Sequence, residues 1–204
     1  MAGVDVGQGI NGAWGMRCFI AIELPESVRS NLEGLSARLR RSGVRASWVR
    51  PENMHVTLRF LGEICEERVG EVVRLLEASY ANTPPFRFTL QGTGAFPNMK
   101  TPSVIWAGIR PNEAILEVQR IAEDVAQRVG CSKEKNRFHP HVTLARIKDP
   151  RNASGWQRYL AAEKDWEGGE VCVEQVAVFQ SELTPRGPIY TRLAFIQFSG
   201  GEGK

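Results

Sequence analysis

The four residues His55-Val56-Thr57-Leu58 return unchanged at His141-Val142-Thr143-Leu144. Each copy lies in β-prone sequence, the first within Met54-His55-Val56-Thr57-Leu58-Arg59-Phe60-Leu61-Gly62. Read as strands, both alternate. Val56, Leu58 and Phe60 then face one side and His55 and Thr57 the other; Val142 and Leu144 likewise point away from His141 and Thr143. Each copy thus presents an imidazole and a hydroxyl roughly 6.5 to 7 Å apart on a face that need not be buried. Histidines satisfied at sheet ends are the plain alternative. Scarcity argues against it, because the chain has three histidines and two of them open the repeats.

At 204 residues, with 42% hydrophobic and 24% charged side chains, the chain has the composition of a globular domain with room for a sizeable core. Its net charge is +3. Twenty of the 26 cationic residues are arginines, the better planar donors to phosphate, which gives slight support to a nucleic-acid or phosphate partner. Cys18, Cys65, Cys131 and Cys172 are widely spaced and form no C-x-x-C, so neither a zinc ribbon nor a disulfide framework is indicated. No run of apolar residues is long enough to span a membrane, and the first fifteen residues lack signal-peptide character. A cytoplasmic protein is expected.

Residues 1–15 are Gly-rich and aperiodic and read as a disordered extension; 199–204 read as a flexible tail. Between them Arg17 to Glu23 forms a β-prone run, and Val28, Leu32, Leu35 and Leu39 have helical spacing after Pro25. Arg38, Arg40, Arg41 and Arg45 crowd that helix's far end, where a solvated face favoured by the helix dipole accounts for them better than RNA contact. Ser47 to Val49 reads as a short strand. Val69, Val72, Val73 and Leu76 mark a second helix, Phe86 to Leu90 a strand, Gly92, Gly94, Pro97 and Asn98 a loop, and Val104 to Ile109 another strand. Asn112 is a plausible N-cap for a helix running to Gly130, and a short helix is expected around Trp156 to Glu163. The runs Val171 to Phe179 and Ile189 to Ile196 close the fold as strands. Without a strict βα rhythm, a G-x-G-x-x-G or a P-loop, the pattern indicates an α+β fold with mainly antiparallel sheet.

Two imidazoles facing one site can divide acid and base work near neutral pH. For a phosphodiester, one takes a proton from water while the other delivers one to the leaving oxygen. The threonines can hold the non-bridging oxygens as charge develops. No metal is required.

The residues carrying this chemistry resemble the 2H phosphoesterase superfamily, whose mark is a pair of H-x-T-x motifs some eighty to ninety residues apart. The surrounding sequence resembles the LigT-type RNA 2′,3′-cyclic phosphodiesterases, also called 2′-5′ RNA ligases. The segments concerned are Arg17 to Pro25, Trp48 to Glu63, Phe138 to Arg146, Gln180 to Leu183 and Gly187 to Tyr190. The resemblance implies that residues 16–198 form one bilobal α+β domain, two mainly antiparallel sheets flanked by helices with pseudo-two-fold symmetry and a central cleft. It also implies opening of an RNA 2′,3′-cyclic phosphate to a 2′-phosphomonoester, with His55 as proton donor and His141 as base, and the reverse ligation to a 2′-5′ linkage. By inspection alone the two histidines are interchangeable. Thr57 and Thr143 carry over as phosphate-binding residues; no cofactor is implied. A monomer acting on RNA ends or a small cyclic nucleotide, with no membrane partner, is expected.

Arg146 and Phe60 both fall on the core face by strict alternation, so Arg146 reaches phosphate only if its strand twists or ends first. Phe138, Trp48 and Arg137 are the better candidates for holding a base or a backbone phosphate. Two readings compete with the metal-free enzyme. His139 and His141 form H-x-H, and with His55 would supply three imidazoles for a zinc-dependent phosphohydrolase. Alternatively, the basic residues Lys133, Lys135 and Arg137 belong to a non-catalytic RNA-binding module.

Overall fold

The computed structural model describes residues 15–148, 156–185 and 187–200; the expected disordered extension, apart from Gly15, and most of the expected tail lie outside them. The strands are β1 (Met16–Glu23), β2 (Ala46–Trp48), β3 (His55–Ile64), β4 (Phe86–Phe96), β5 (Val104–Ile109), β6 (His141–Ile147), β7 (Glu167–Val173), β8 (Gln175–Thr184) and β9 (Gly187–Gln197). The helices are α1 (Glu26–Arg40), α2 (Glu66–Tyr80), α3 (Glu113–Arg128) and α4 (Trp156–Ala162), with a 3-10 turn over Pro51–Asn53.

The strands run in the order β7-β4-β5-β6-β3-β1-β8-β9, every registered pair antiparallel, with β2 added beside β6. The two sheets that the resemblance implies are joined as halves of one curled sheet, β9-β8-β1-β3 and β7-β4-β5-β6, which meet where Val56 pairs with Val142. That junction is the pseudo-two-fold axis. Outward from it β3 matches β6, β1 matches β5, β8 matches β4 and β9 matches β7.

The helices cover one face of the curled sheet. Val28, Leu32, Leu35 and Leu39 of α1 are buried, as their spacing requires, and α3 is capped by the Asn112 side chain accepting from the Ile115 amide at 3.1 Å. Each half borrows a helix from the other: α1 packs against β7, and α3 against β3. Among the described residues no helix is long and apolar enough to cross a membrane.

Two stretches differ from the expectation. β4 continues through Gly92 and Gly94 to Phe96 instead of breaking into a loop. Gly92 has φ +73° at a register shift, and Gly94 lies flat beneath the Trp106 indole, where a Cβ would come within 2.2 Å of the ring. These glycines mark a bulge and a close approach rather than a turn. The run Val171 to Phe179 is two strands, because the chain leaves β7 on one outer edge at Glu174 and enters β8 in the other half.

Candidate functional site

The repeats occupy β3 and β6 on either side of the junction. Val56, Leu58, Val142 and Leu144 enter the core beneath the helices, and both His–Thr pairs lie on the opposite face. Antiparallel registration at Val56 and Val142 sets His55 across from Thr143 and Thr57 across from His141, leaving the histidines on a diagonal of about 7–8 Å. Both strands then bulge at the fourth residue of the repeat. Ala21 pairs with Thr57 but Ile20 with Arg59, so Leu58 has no partner; Trp106 pairs with Thr143 but Ile105 with Ala145, so Leu144 has none.

Each bulge reverses the alternation that follows. Arg59, which a regular strand would expose, is 7% exposed, while Phe60 is 56% exposed on the histidine face with its ring 5.9 Å from Phe19. Arg146, at the position matching Phe60, is likewise exposed on that face, and its charge helps to lower the pKa of both imidazoles. The expectation that Phe60 and Arg146 face the core is therefore corrected.

Both imidazoles are oriented alike. The Nδ1 of His55 lies 2.8 Å from the Asn53 carbonyl, and that of His141 2.7 Å from the His139 carbonyl. A carbonyl only accepts, so each Nδ1 carries the proton and each Nε2 is left for the cleft. The Nε2 of His55 also meets the Thr57 hydroxyl at 3.0 Å. Aromatic rings hold the imidazoles from the sides. Phe19 stacks on His55 at 4.8 Å and Tyr190 meets it edge-on at 5.3 Å, while Phe96 meets His141 edge-on at 5.0 Å. Phe19 and Trp106 come from the matching strands β1 and β5, and Trp106 lies 6.3 Å from His141.

Burial dominates the electrostatics. It pushes the pKa of His55 down to about 4, against the upward pull of the Asn53 carbonyl, and lowers that of His141 for the same reason. Above pH 6.5 His55 is neutral whether the chain is folded or not. Between 6.5 and 4 the unfolded chain takes up a proton that the folded imidazole refuses, so this residue removes stability as pH falls, by about 3 kcal/mol in all, and no further below pH 4. His55→Gln should therefore gain on the unsubstituted protein in melting temperature across that window. Parallel Tm-against-pH curves for the two proteins would contradict this account.

The remaining candidates are dispersed. Trp48 pairs with Ala145, whose side chain is buried, so its indole belongs to the helix face, where Arg40 lies 5.2 Å over it. Phe138 packs against the core, and Arg137 is exposed on the loop 131–138. The preference for Trp48 is therefore corrected, because its pairing turns the indole to the face opposite the imidazoles, while Phe138 and Arg137 stay candidates on the segment that leads into β6. The His139 ring lies 4.9 Å from Trp106. Among the described residues no three His, Cys, Asp or Glu side chains converge as metal ligands, so the three-imidazole zinc site is not formed. The aromatic supports Phe19, Phe96, Trp106 and Tyr190 were not singled out from the sequence; in the two halves Trp106, paired with Thr143, matches Ala21, paired with Thr57, so the rings do not repeat with the motifs.

The LigT-like phosphoesterase model matches residues 22–106 and 109–190. An RNA 2′,3′-cyclic phosphodiesterase of Aeropyrum pernix is 42% identical over 168 residues, 78% of this chain and 93% of that protein. One from Thermotoga maritima is 35% identical over 186 residues, 91% of this chain and 97% of its own. A crystal structure from Thermus thermophilus superposes with a TM-score of 0.76 at 33% identity, covering 91% of this chain and 99% of that one. With two bulged His–Thr strands facing each other across a pseudo-two-fold axis, and with relatives matched over nearly their full length, the chain belongs to the LigT-like phosphoesterase family.

Proposed function

We propose that this protein opens the 2′,3′-cyclic phosphate at an RNA end to a 2′-phosphomonoester, using His55 and His141 for both proton transfers and no metal. The observation that carries it is the pair of Nδ1-anchored imidazoles presented on one face with a threonine across from each. The activity named for the relatives from Aeropyrum and Thermotoga supports the choice of substrate.

In the step itself, a water oxygen forms a bond to phosphorus as the P–O3′ bond breaks. The water proton passes to Nε2 of His141, and Nε2 of His55 delivers a proton to the departing 3′ oxygen; this division of roles follows the family resemblance. In the free protein the buried His55 resists protonation. An anionic phosphodiester beside it supplies the compensating charge, so proton loading is coupled to substrate binding. Thr57 and Thr143 donate to the non-bridging oxygens, and Arg146 balances their charge. Phe60, exposed at the mouth of the site, offers its ring to the terminal base. A 5′-hydroxyl in place of water makes the same attack on phosphorus, breaks the same P–O3′ bond and leaves a 2′-5′ linkage. Both His–Thr pairs come from one chain, so a monomer suffices; the expected setting is the cytoplasm.

The test is incubation of chelator-treated protein with an RNA oligonucleotide ending in a 2′,3′-cyclic phosphate, with products separated by phosphate position. Accumulation of the 2′-phosphate in chelator is expected. A 3′-phosphate product, or turnover only after zinc is returned, would overturn the mechanism.

A further inference from the structure

The cleft face does not end at Arg146. β2 lies beside β6 with Ser47 paired to Arg146 and Ala46 to Ile147, and the Lys148 amide donates to the Arg45 carbonyl at 3.0 Å, so the ladder runs one step further. Arg45 and Lys148 therefore stand directly opposite each other. Alternation places both on the face of Ser47 and Arg146, and all four side chains are exposed, while Val44 and Ala46 turn inward.

Two cations facing across a ladder, their Cβ atoms about 4.5–5.5 Å apart, destabilise it. No carboxylate among the described residues offsets that cost. Arg38, Arg87, Arg110 and Arg192 each sit on a carboxylate, whereas Arg45, Lys148 and Arg146 pair with none among the described residues. Arg45 and Lys148 line a groove of about 470 Å³ with Val44 and Ala46. From Arg146 to Lys148 the strand advances about 6.5–7 Å, the scale of one nucleotide of extended backbone.

We infer that Arg45 and Lys148 form a track that binds the phosphates of single-stranded RNA upstream of the terminal nucleotide. The assignment rests on the function proposed above, because the track leads away from the place given to the cyclic phosphate. It makes the preferred substrate an oligonucleotide rather than a cyclic mononucleotide. The contacts are cations meeting backbone phosphates, so no base preference at these positions is implied. This revises the solvated-face reading of Arg45, while Arg40, stacked on Trp48 across the sheet, stays outside the track.

The experiment compares Arg45→Ser/Lys148→Ser with the unsubstituted protein on a 2′,3′-cyclic mononucleotide and on a single-stranded octanucleotide ending in the same group. The double variant should raise KM for the octanucleotide on the order of tenfold with kcat unchanged, and leave the mononucleotide unaffected. The slope of log affinity against log salt should fall by about 1.4, two contacts at about 0.7 each on a single strand. Arg45→Lys/Lys148→Arg should keep the preference. Equal losses on both substrates, or no loss on either, overturn the track. Should the unsubstituted protein turn over neither substrate, the proposed reaction fails by itself. Fluorescence anisotropy with a labelled octanucleotide ending in a 2′-phosphate then decides the track: weakening in the double variant supports it, and unchanged affinity, or equal weakening toward inorganic phosphate, overturns it.

Discussion

His55→Ala and His141→Ala are each expected to lower kcat for cyclic-phosphate opening by roughly 10²- to 10⁴-fold while changing KM little. The geometry gives each imidazole one proton to move and anchors each through Nδ1 to a carbonyl two residues earlier, that of Asn53 and that of His139. Because acid and base serve a single transition state, the double variant should be barely slower than the worse of the two single variants. Single-turnover rates at saturating substrate measure this directly. Threonine→Ala changes should cost less, since each removes one neutral hydrogen bond to developing charge. Independent, additive losses at His55 and His141 would mean that the two rings do not act on one bond.

The single variants should also differ in stability in a way that separates structure from chemistry. Phe19 and Tyr190 close on the His55 ring, so truncation leaves a gap in a buried aromatic cluster; His141 is held by Phe96 near the rim. Near pH 7, where the burial of a neutral ring carries no protonation cost, the gap term alone is read.

What the sequence discloses, and what it hides, follows from the range of the interactions. The spacing of Val28, Leu32, Leu35 and Leu39 and the cap at Asn112 are local and were readable one turn at a time. So were the two repeats, because identical strands in a pseudo-symmetric fold leave identical words. The bulges were not. Nothing within Leu58-Arg59-Phe60 marks the extra residue; it is set by the register that β1 imposes, with Gly62 at φ +75° relieving a second irregularity opposite Leu61. A one-residue error in register moves every later side chain to the wrong face. That single rule accounts for Phe60 and Arg146 together, and Trp48 fails for the kindred reason that its face is fixed by pairing with Ala145. Equally hidden were the aromatic supports, which come from four strands distant in sequence and share no local pattern.

The bulge has a cost, and Arg59 carries it. By turning Arg59 inward the chain buries a guanidinium, whose Nε meets the Glu123 carboxylate of α3 at 2.5 Å as an ionic contact off the hydrogen-bond direction. Its other nitrogens donate to the carbonyls of Phe60, at 2.5 Å, and Ser132. Glu123 in turn accepts from the Glu134 amide at 3.0 Å, so one buried pair ties together β3, α3 and the loop 131–138 that leads into the second His–Thr strand. Arg59→Ala is therefore expected to lower unfolding free energy by about 3–5 kcal/mol, because it leaves the largely buried Glu123 carboxylate without its cation and two carbonyls without donors. Replacing both partners, Arg59→Met with Glu123→Leu, should recover much of that loss, since the desolvated charge disappears with its partner. Urea unfolding reads both values. Hydrogen exchange at the Glu134 amide adds an independent measure, because its acceptor is lost in the double variant even where global stability returns. A loss under about 1 kcal/mol for Arg59→Ala would show that the guanidinium is solvated in the folded protein and that the bulge is held by the register of β1 alone.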